Sequence, residues 1–332
     1  MLKGIVKSIM NSKVALLLLI TVLIVAFFYC INPGYLGVGN ILILLKNISL
    51  TGILGIGVGL LLISGQIDLS TSAVAGLSGV FVASLLGFGL PWPLAVLLTL
   101  LFGVCAGAIT AFFVNKLNMM SFIATIALSS IWQGIAYVIT RTGPIKFNNN
   151  GFLKISSIAF VSNILPLSFI ILVVLMSIYG WILSQTKFGR SVYICGGNKN
   201  AARLAGINPK RVHSILFINS GMLASLCGIL LASNMGKGDS SPLSQGMVAV
   251  TAAILGGIAF TGGAGGLGGV FVGLMLLSFF NSGLAVIRLL SYWQIFAQGM
   301  LLILALLFDY YRENRKLKIL RAGSANTIAI KK

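Results

Sequence analysis

Acidic residues are almost missing from this chain of 332 residues. Asp68, Asp239, Asp309 and Glu313 are the whole complement, against 23 Lys plus Arg and one histidine, His213. Charged residues of both signs make up 8% of the chain, where a soluble domain carries about 25%. Too few polar side chains remain to coat a soluble globule, so lipid must be the solvent for most of the surface. The same scarcity argues against covalent chemistry. No carboxylate pair suits acid/base work, and no Ser/His/Asp set is evident. No G-x-x-x-x-G-K-[ST] stretch occurs, so the chain has no phosphate-cradling loop of its own. The four cysteines, Cys30, Cys105, Cys195 and Cys227, are far apart and are expected to be buried free thiols. With one histidine, expected at a loop edge, an ordinary zinc site is excluded and no cofactor is expected.

What the chain has in abundance is apolar sequence, 58% of its residues. Apolar runs of spanning length recur near 14–31, 41–64, 71–88, 93–114, 121–140, 164–184, 214–233, 246–261, 267–286 and 290–310. The expected fold is therefore all-α, a polytopic membrane protein of about ten transmembrane helices, some of them short or broken. Lys3, Lys7 and Lys13 precede the first run, which is full length and has no A-x-A-like cleavage site after it. It is expected to stay as the first span.

The net charge of +19 does not point to nucleic acid, because the cations sit in gaps between apolar runs and form no stripe. With ten spans and the N-terminus inside, 17 of the 23 cations fall in cytoplasmic segments. That bias predicts both termini on the cytoplasmic side. One domain is expected over 1–311, with a polar cytoplasmic loop at 185–213, followed by a basic cytoplasmic tail at 312–332. Residues 71–86 and 261–276 also align without a gap, sharing GVFV runs at 79–82 and 269–272. Such repeats are common in transporters.

Three segments interrupt the apolar pattern. Ser64-Gly65-Gln66-Ile67-Asp68-Leu69-Ser70 contains the only acid before residue 239. Gly65 loosens a helix, and Ser70, Thr71 or Ser72 could cap the next one. Asp68 is open to two roles: a structural carboxylate at a helix N-terminus, or a polar group in a path or gate. In the second segment, Asn198 and Gly206 bracket Lys199, Asn200, Ala201, Ala202, Arg203, Leu204 and Ala205 as N-cap and C′ residues of a two-turn helix. That helix is too short to span, and either lies on anionic lipid or docks as a knob in a cytoplasmic partner. The third is glycine-rich, 255–269, and reads as tight helix contact or a broken helix.

Four stretches together carry a resemblance that covers roughly residues 40–310. They are Ser64–Leu69 (SGQIDL), Ser121–Ala127 (SFIATIA), Phe188–Val212 (FGRSVYICGGNKNAARLAGINPKRV), and the glycine-rich run with Phe280-Asn281-Ser282-Gly283-Leu284. In order and spacing they resemble the inner-membrane permease subunits of ATP-binding-cassette importers for monosaccharides, the ribose, xylose and galactoside type. The resemblance implies a second permease chain, identical or related, around a central path. It also implies cytoplasmic ATPases beneath and an extracytoplasmic sugar-binding protein above, in a bacterial cytoplasmic membrane. By the same likeness Asn198, Lys199, Ala201, Ala202, Arg203, Leu204, Ala205 and Gly206 look like a coupling helix received by the ATPase. Ser64, Gln66, Asp68, Ser70, Thr261 and Asn281 are candidates for the path or gate. Gln66 stands where the family usually has glycine, and the outer loop at 234–245 is short. An ion-coupled carrier acting alone, a membrane-embedded enzyme, and an importer for a branched-chain amino acid or a nucleoside are the rival expectations.

Overall fold

A computed structural model describes residues 13–307, apart from 142, 161–163, 241–244, 291, 302, 305 and 306. Lys3, Lys7, Asp309, Glu313 and the expected tail at 312–332 lie outside the described residues. Up to residue 286 the described chain forms twelve α-helices. They are α1 (Lys13–Ile31), α2 (Val38–Ile63), α3 (Thr71–Gly87), α4 (Trp92–Ala111), α5 (Ser121–Thr140), α6 (Asn150–Ser157), α7 (Leu167–Gln185), α8 (Lys187–Gly197), α9 (Lys199–Leu204), α10 (Pro209–Met235), α11 (Gln245–Leu255) and α12 (Leu267–Val286). A π-helical turn, Phe112–Lys116, prolongs α4.

Among the described residues seven helices are long and apolar enough to cross a membrane: α1, α2, α4 with its π turn, α5, α7, α10 and α12. The chain is thus an all-α polytopic membrane protein. Two further apolar helices, α3 and α11, fall short of that length. At 1.5 Å per residue the 11-residue α11 reaches about halfway through the hydrocarbon. The span expected over 246–261 therefore ends early, at Leu255. The cause is backbone geometry: Gly257, Gly262, Gly263 and Gly265 all take positive φ, which a continuing helix forbids. Residues 256–266 form a loop, and Ala252 of α11 and Gly256 of the loop lie back against Gly273 and Gly269 of α12. This also limits the apparent repeat. Thr71 opens a helix while Thr261 lies in the loop, so the aligned residues share a helical state only from 77 and 267 onward.

The chain divides into two compact units, 1–283 and 284–332. In the first, α2 and α10 form the interior, each 67% buried over its most apolar window, against 17% for α1 and 11% for α7. Small residues allow this packing. Gly103 and Gly107 of α4 meet Gly221 of α10 backbone to backbone, and Gly57 of α2 lies on Ser220 of α10. Between membrane helices, where lipid is as apolar as leucine, such close approach replaces the hydrophobic drive to associate. Lys46, inside α2, donates to Asn234 Oδ1 at 3.1 Å.

Short ordered pieces cover the connections. β1 (Ile145–Lys146) pairs antiparallel with β4 (Lys237–Gly238), and β2 (Ala159–Phe160) with β3 (Leu165–Pro166). The helix α6 is capped by Asn149 and plants Phe152, fully buried, among Val82, Leu86, Ala95, Ile229 and Ala232. In the second unit the last turn of α12 closes at Arg288, whose φ is 58°, and residues 292–301 are helical.

Two expectations are corrected. His213 is not at a loop edge; it is buried in the first turns of α10. Cys195 and Cys227 are buried thiols as expected, but Cys30 and Cys105 are exposed on helix surfaces. In a membrane chain an exposed helix face meets lipid, where a thiol is tolerated as a small apolar group.

Candidate functional site

The break after α2 is built by its own sequence. The Gly65 amide donates to Leu62 O at 3.0 Å and the Gln66 amide to Leu61 O at 2.9 Å, with Gly65 at φ 74°. This is a Schellman stop, which needs a residue that tolerates the left-handed region. The Ser64 hydroxyl donates to Leu61 O at 2.8 Å. The amides of Ile67 and Leu69 have no helix to bond to, and α5 serves them instead: Ser121 Oγ and Thr125 Oγ1 accept at 3.3 and 3.2 Å. Unpaired backbone inside a bilayer protein costs several kcal/mol, roughly, so these two hydroxyls keep the break stable.

Asp68 is buried, with 3% of its surface exposed. Its Oδ1 accepts from the Ser70 amide at 2.9 Å and the Ser70 hydroxyl at 2.6 Å, and its Oδ2 from Ser220 Oγ of α10 at 3.2 Å. The carboxylate thus ties the start of α3 to the interior helix α10. Ser70 holds the N-cap position, but its hydroxyl goes to Asp68 and caps no amide of α3. Thr71 and Ser72 fall inside the helix.

The segment expected to couple, 198–206, holds α9, which follows directly on α8. Asn198 Oδ1 accepts from the amides of Asn200 and Ala201 at 2.9 and 3.0 Å, and Gly206 ends the helix at φ 74°. Both caps are the ones the sequence indicates. One face of α9 is inward: Ala202 is fully buried. The rest points out, with Lys199, Ala201, Arg203, Ala205 and Gly206 exposed and Leu204 91% exposed. Leu204 therefore stands clear of the packed interior on a turn capped at both ends.

Three backbones cross beneath the break. Gly196, at the end of α8, lies against Ile63 O and Gly263 N with no room for a Cβ. The Gly263 amide donates to Ile63 O at 2.8 Å. Tyr193 of α8 donates its hydroxyl to Gly265 O at 2.8 Å, and burial pushes that phenol above its ordinary pKa, so it stays a donor. The end of α2, the end of α8 and the 256–266 loop are therefore joined at one point. Ser64, Gln66, Asp68, Ser70 and Thr261 all belong to this junction; Thr261 O is next to Gly65. Asn281 does not. It is 14 residues along α12, about 21 Å from the start of that helix. Its neighbour Ser282 bonds Asn40.

The sequence did not single out a second group. Ser72 of α3 and Ser129, Ser130, Gln133, Gly134 and Tyr137 of α5 line an open cleft of about 430 Å3. Every polar group in it is uncharged. Their spacing on α5 was visible as one helix face, but serines within an apolar run look like ordinary membrane-helix residues until their exposure is known.

Comparison with known proteins agrees with these features. Residues 40–306 match the family described as branched-chain amino acid transport system / permease component. The chain belongs to this permease family. It is 31% identical to the ribose import permease protein RbsC of Haemophilus influenzae, over 89% of this chain and 93% of that one. It is 32% identical to the probable ABC transporter permease protein YphD of Escherichia coli, over 93% of each chain. It is 29% identical to the autoinducer 2 import system permease protein LsrC of Photorhabdus luminescens, over 91% of each. No solved structure matches the chain. The chain is a transport subunit of the permease type.

Proposed function

We propose that this chain forms half of the translocation path of an ATP-binding-cassette importer and passes a neutral monosaccharide or a similar small polyol. The observation that carries this is the uncharged polar cleft between α3 and α5. Hydroxyl and amide groups are costly on a helix face turned to lipid and are usually found facing a path or a partner helix. Ser130, Gly134 and Tyr137 are exposed on this chain, and a second permease chain against α5 would close the cleft into a path. An amino acid is a zwitterion and an ion-coupled carrier needs ionisable groups; neither finds a charged partner in this lining. A polyol finds donors, acceptors and one aromatic face.

In the full assembly the chain crosses the membrane ten times, by the seven long helices, α3, α11 continued by the 256–266 loop, and the helix beginning at 292, with both termini cytoplasmic. It sits in the bacterial cytoplasmic membrane. An extracytoplasmic binding protein supplies solute and specificity. Two cytoplasmic ATPases receive α9 of each permease chain, and their closure on ATP moves α8 and α9. The crossing of Gly196, Ile63 and Gly263 passes that movement to the α2–α3 break and the 256–266 loop, next to the helices that line the cleft. Residues 198–206 act in coupling; Ser64, Gln66, Asp68, Ser70 and Thr261 shape the break that moves.

Gly134→Leu tests the path. A Cβ at Gly134 meets nothing within 4 Å, so the added side chain starts into open space beside the cleft. The variant is expected to insert and bind the ATPase normally while ATP-driven uptake of the delivered sugar collapses. Unaltered uptake would remove the cleft from the path.

A further inference from the structure

A second cavity, of about 690 Å3, lies beside the coupling helix and is unlike the first. Three cations line it, Lys199 and Arg203 of α9 and Lys210 of α10, and no acidic residue among the described ones does. Two helix N-termini also open onto it, through Pro209 and Lys210 of α10 and Ser121 and Phe122 of α5. The α5 terminus carries no side-chain cap. Each N-terminus adds partial positive charge, and that of α5 adds uncapped amides, whereas Asn208 caps the Arg211 amide of α10. Like charges gathered in one cavity destabilise one another unless something offsets them.

One polar atom in the wall has no partner. His213 is 4% exposed, and its Nε2 is buried without a hydrogen bond. Leaving such an atom unpaired costs about 1–3 kcal/mol. The neighbouring amides are already engaged: Asn115 donates to Ser214 Oγ at 2.9 Å and Asn118 accepts from Lys210 at 2.8 Å. Anionic oxygens therefore fit the cations and amides, and a hydroxyl fits Nε2.

We propose that this cavity binds a polyol phosphate, the phosphate held by Lys199, Arg203 and Lys210 and an adjacent hydroxyl donated to His213 Nε2. Either a free phosphorylated polyol or the headgroup of phosphatidylglycerol presents that chemistry. Bound there, it ties α9 to α10 and α5 and makes the stiffness of the coupling helix depend on the ligand.

The test uses the full chain in nanodiscs of phosphatidylcholine alone, titrated with glycerol phosphate and followed by calorimetry and thermal unfolding. Saturable binding with a raised unfolding midpoint is expected, while glycerol alone has no effect. Lys210→Gln should weaken binding about tenfold or more, the worth of one charge-assisted hydrogen bond. His213→Phe should weaken glycerol phosphate but leave inorganic phosphate unchanged. Arg211→Gln, on an exposed cation outside the cavity, should change neither. In nanodiscs containing phosphatidylglycerol, retained lipid in native mass spectra that is lost in Lys210→Gln and blocks glycerol phosphate identifies the headgroup as occupant; unhindered titration identifies the free ligand. Absence of saturable binding in both discs, or equal weakening by Lys210→Gln and Arg211→Gln, overturns the proposal.

Discussion

Gly196→Ala is a one-carbon change whose effect follows from the backbone crossing beneath the break. The added Cβ would collide with Ile63 O and come within 2.5 Å of Gly263 N. Both are backbone atoms and neither can rotate away. Relief requires the chains to separate, which breaks the 2.8 Å bond from the Gly263 amide to Ile63 O. A buried amide and carbonyl left unpaired cost about 1–3 kcal/mol. Overpacking adds about 1–3 kcal/mol. The sum, about 2–6 kcal/mol, outweighs the roughly 0.5–1 kcal/mol that alanine gains over glycine in a helix. Gly197→Ala is the matched control: its Cβ would meet only Gly263 Cα, at 4.0 Å. It should be neutral, or stabilising by up to about 1 kcal/mol. The assay is thermal unfolding of the purified chain, with ATPase stimulation by solute-loaded binding protein as the second readout. Gly196→Ala should lower the midpoint and uncouple hydrolysis from loading; Gly197→Ala should do neither. If the two alanines behave alike, the three segments do not cross as described and the proposed route from α9 to the break fails.

Other substitutions separate structural from transport roles. Asp68→Ala leaves the Ser70 amide and the Ser220 hydroxyl unpaired and should cost about 1–3 kcal/mol, whereas Asp68→Asn keeps an acceptor for each Ser70 donor and should retain most stability and uptake. Loss of uptake in a stably folded Asp68→Asn would instead make the charge itself part of transport. Leu204→Glu should leave the unfolding midpoint unchanged, because the side chain is 91% exposed, and abolish co-purification with the ATPase. Ala202→Trp, aimed at the same helix, should destabilise the chain, because Ala202 is fully buried; comparing the two distinguishes docking from folding.

The helices were legible wherever apolar length decided them. The runs at 121–140 and 267–286 fix α5 and α12 to the residue, and the caps at Asn198 and Gly206 fix α9. The end of α11 was not legible, because Gly256 and Gly257 belong equally well to a tight helix contact and to a stop; only the positive φ at Gly257 decides. The acid in Ser64–Ser70 announced a polar site, but not its partner. Ser220 is 152 residues away, in a helix whose serines look alike in sequence. The α5 cleft was hidden for a related reason, since polarity in a membrane helix acquires meaning only with exposure. The short helix α6 was masked by Asn148-Asn149-Asn150, a run that suggests an irregular loop. Its middle residue is in fact the N-cap, with the Asn149 side chain accepting from the Phe152 amide.

The central claim is that this chain moves solute only as part of an ATP-driven assembly. Its most direct measurement is uptake of labelled monosaccharide into liposomes holding the chain, its second permease chain and the ATPase, with the binding protein on the opposite side from ATP. Accumulation that requires ATP, the binding protein and an intact Leu204 is the predicted result. Accumulation driven by a proton or sodium gradient, with the ATPase left out, would contradict it.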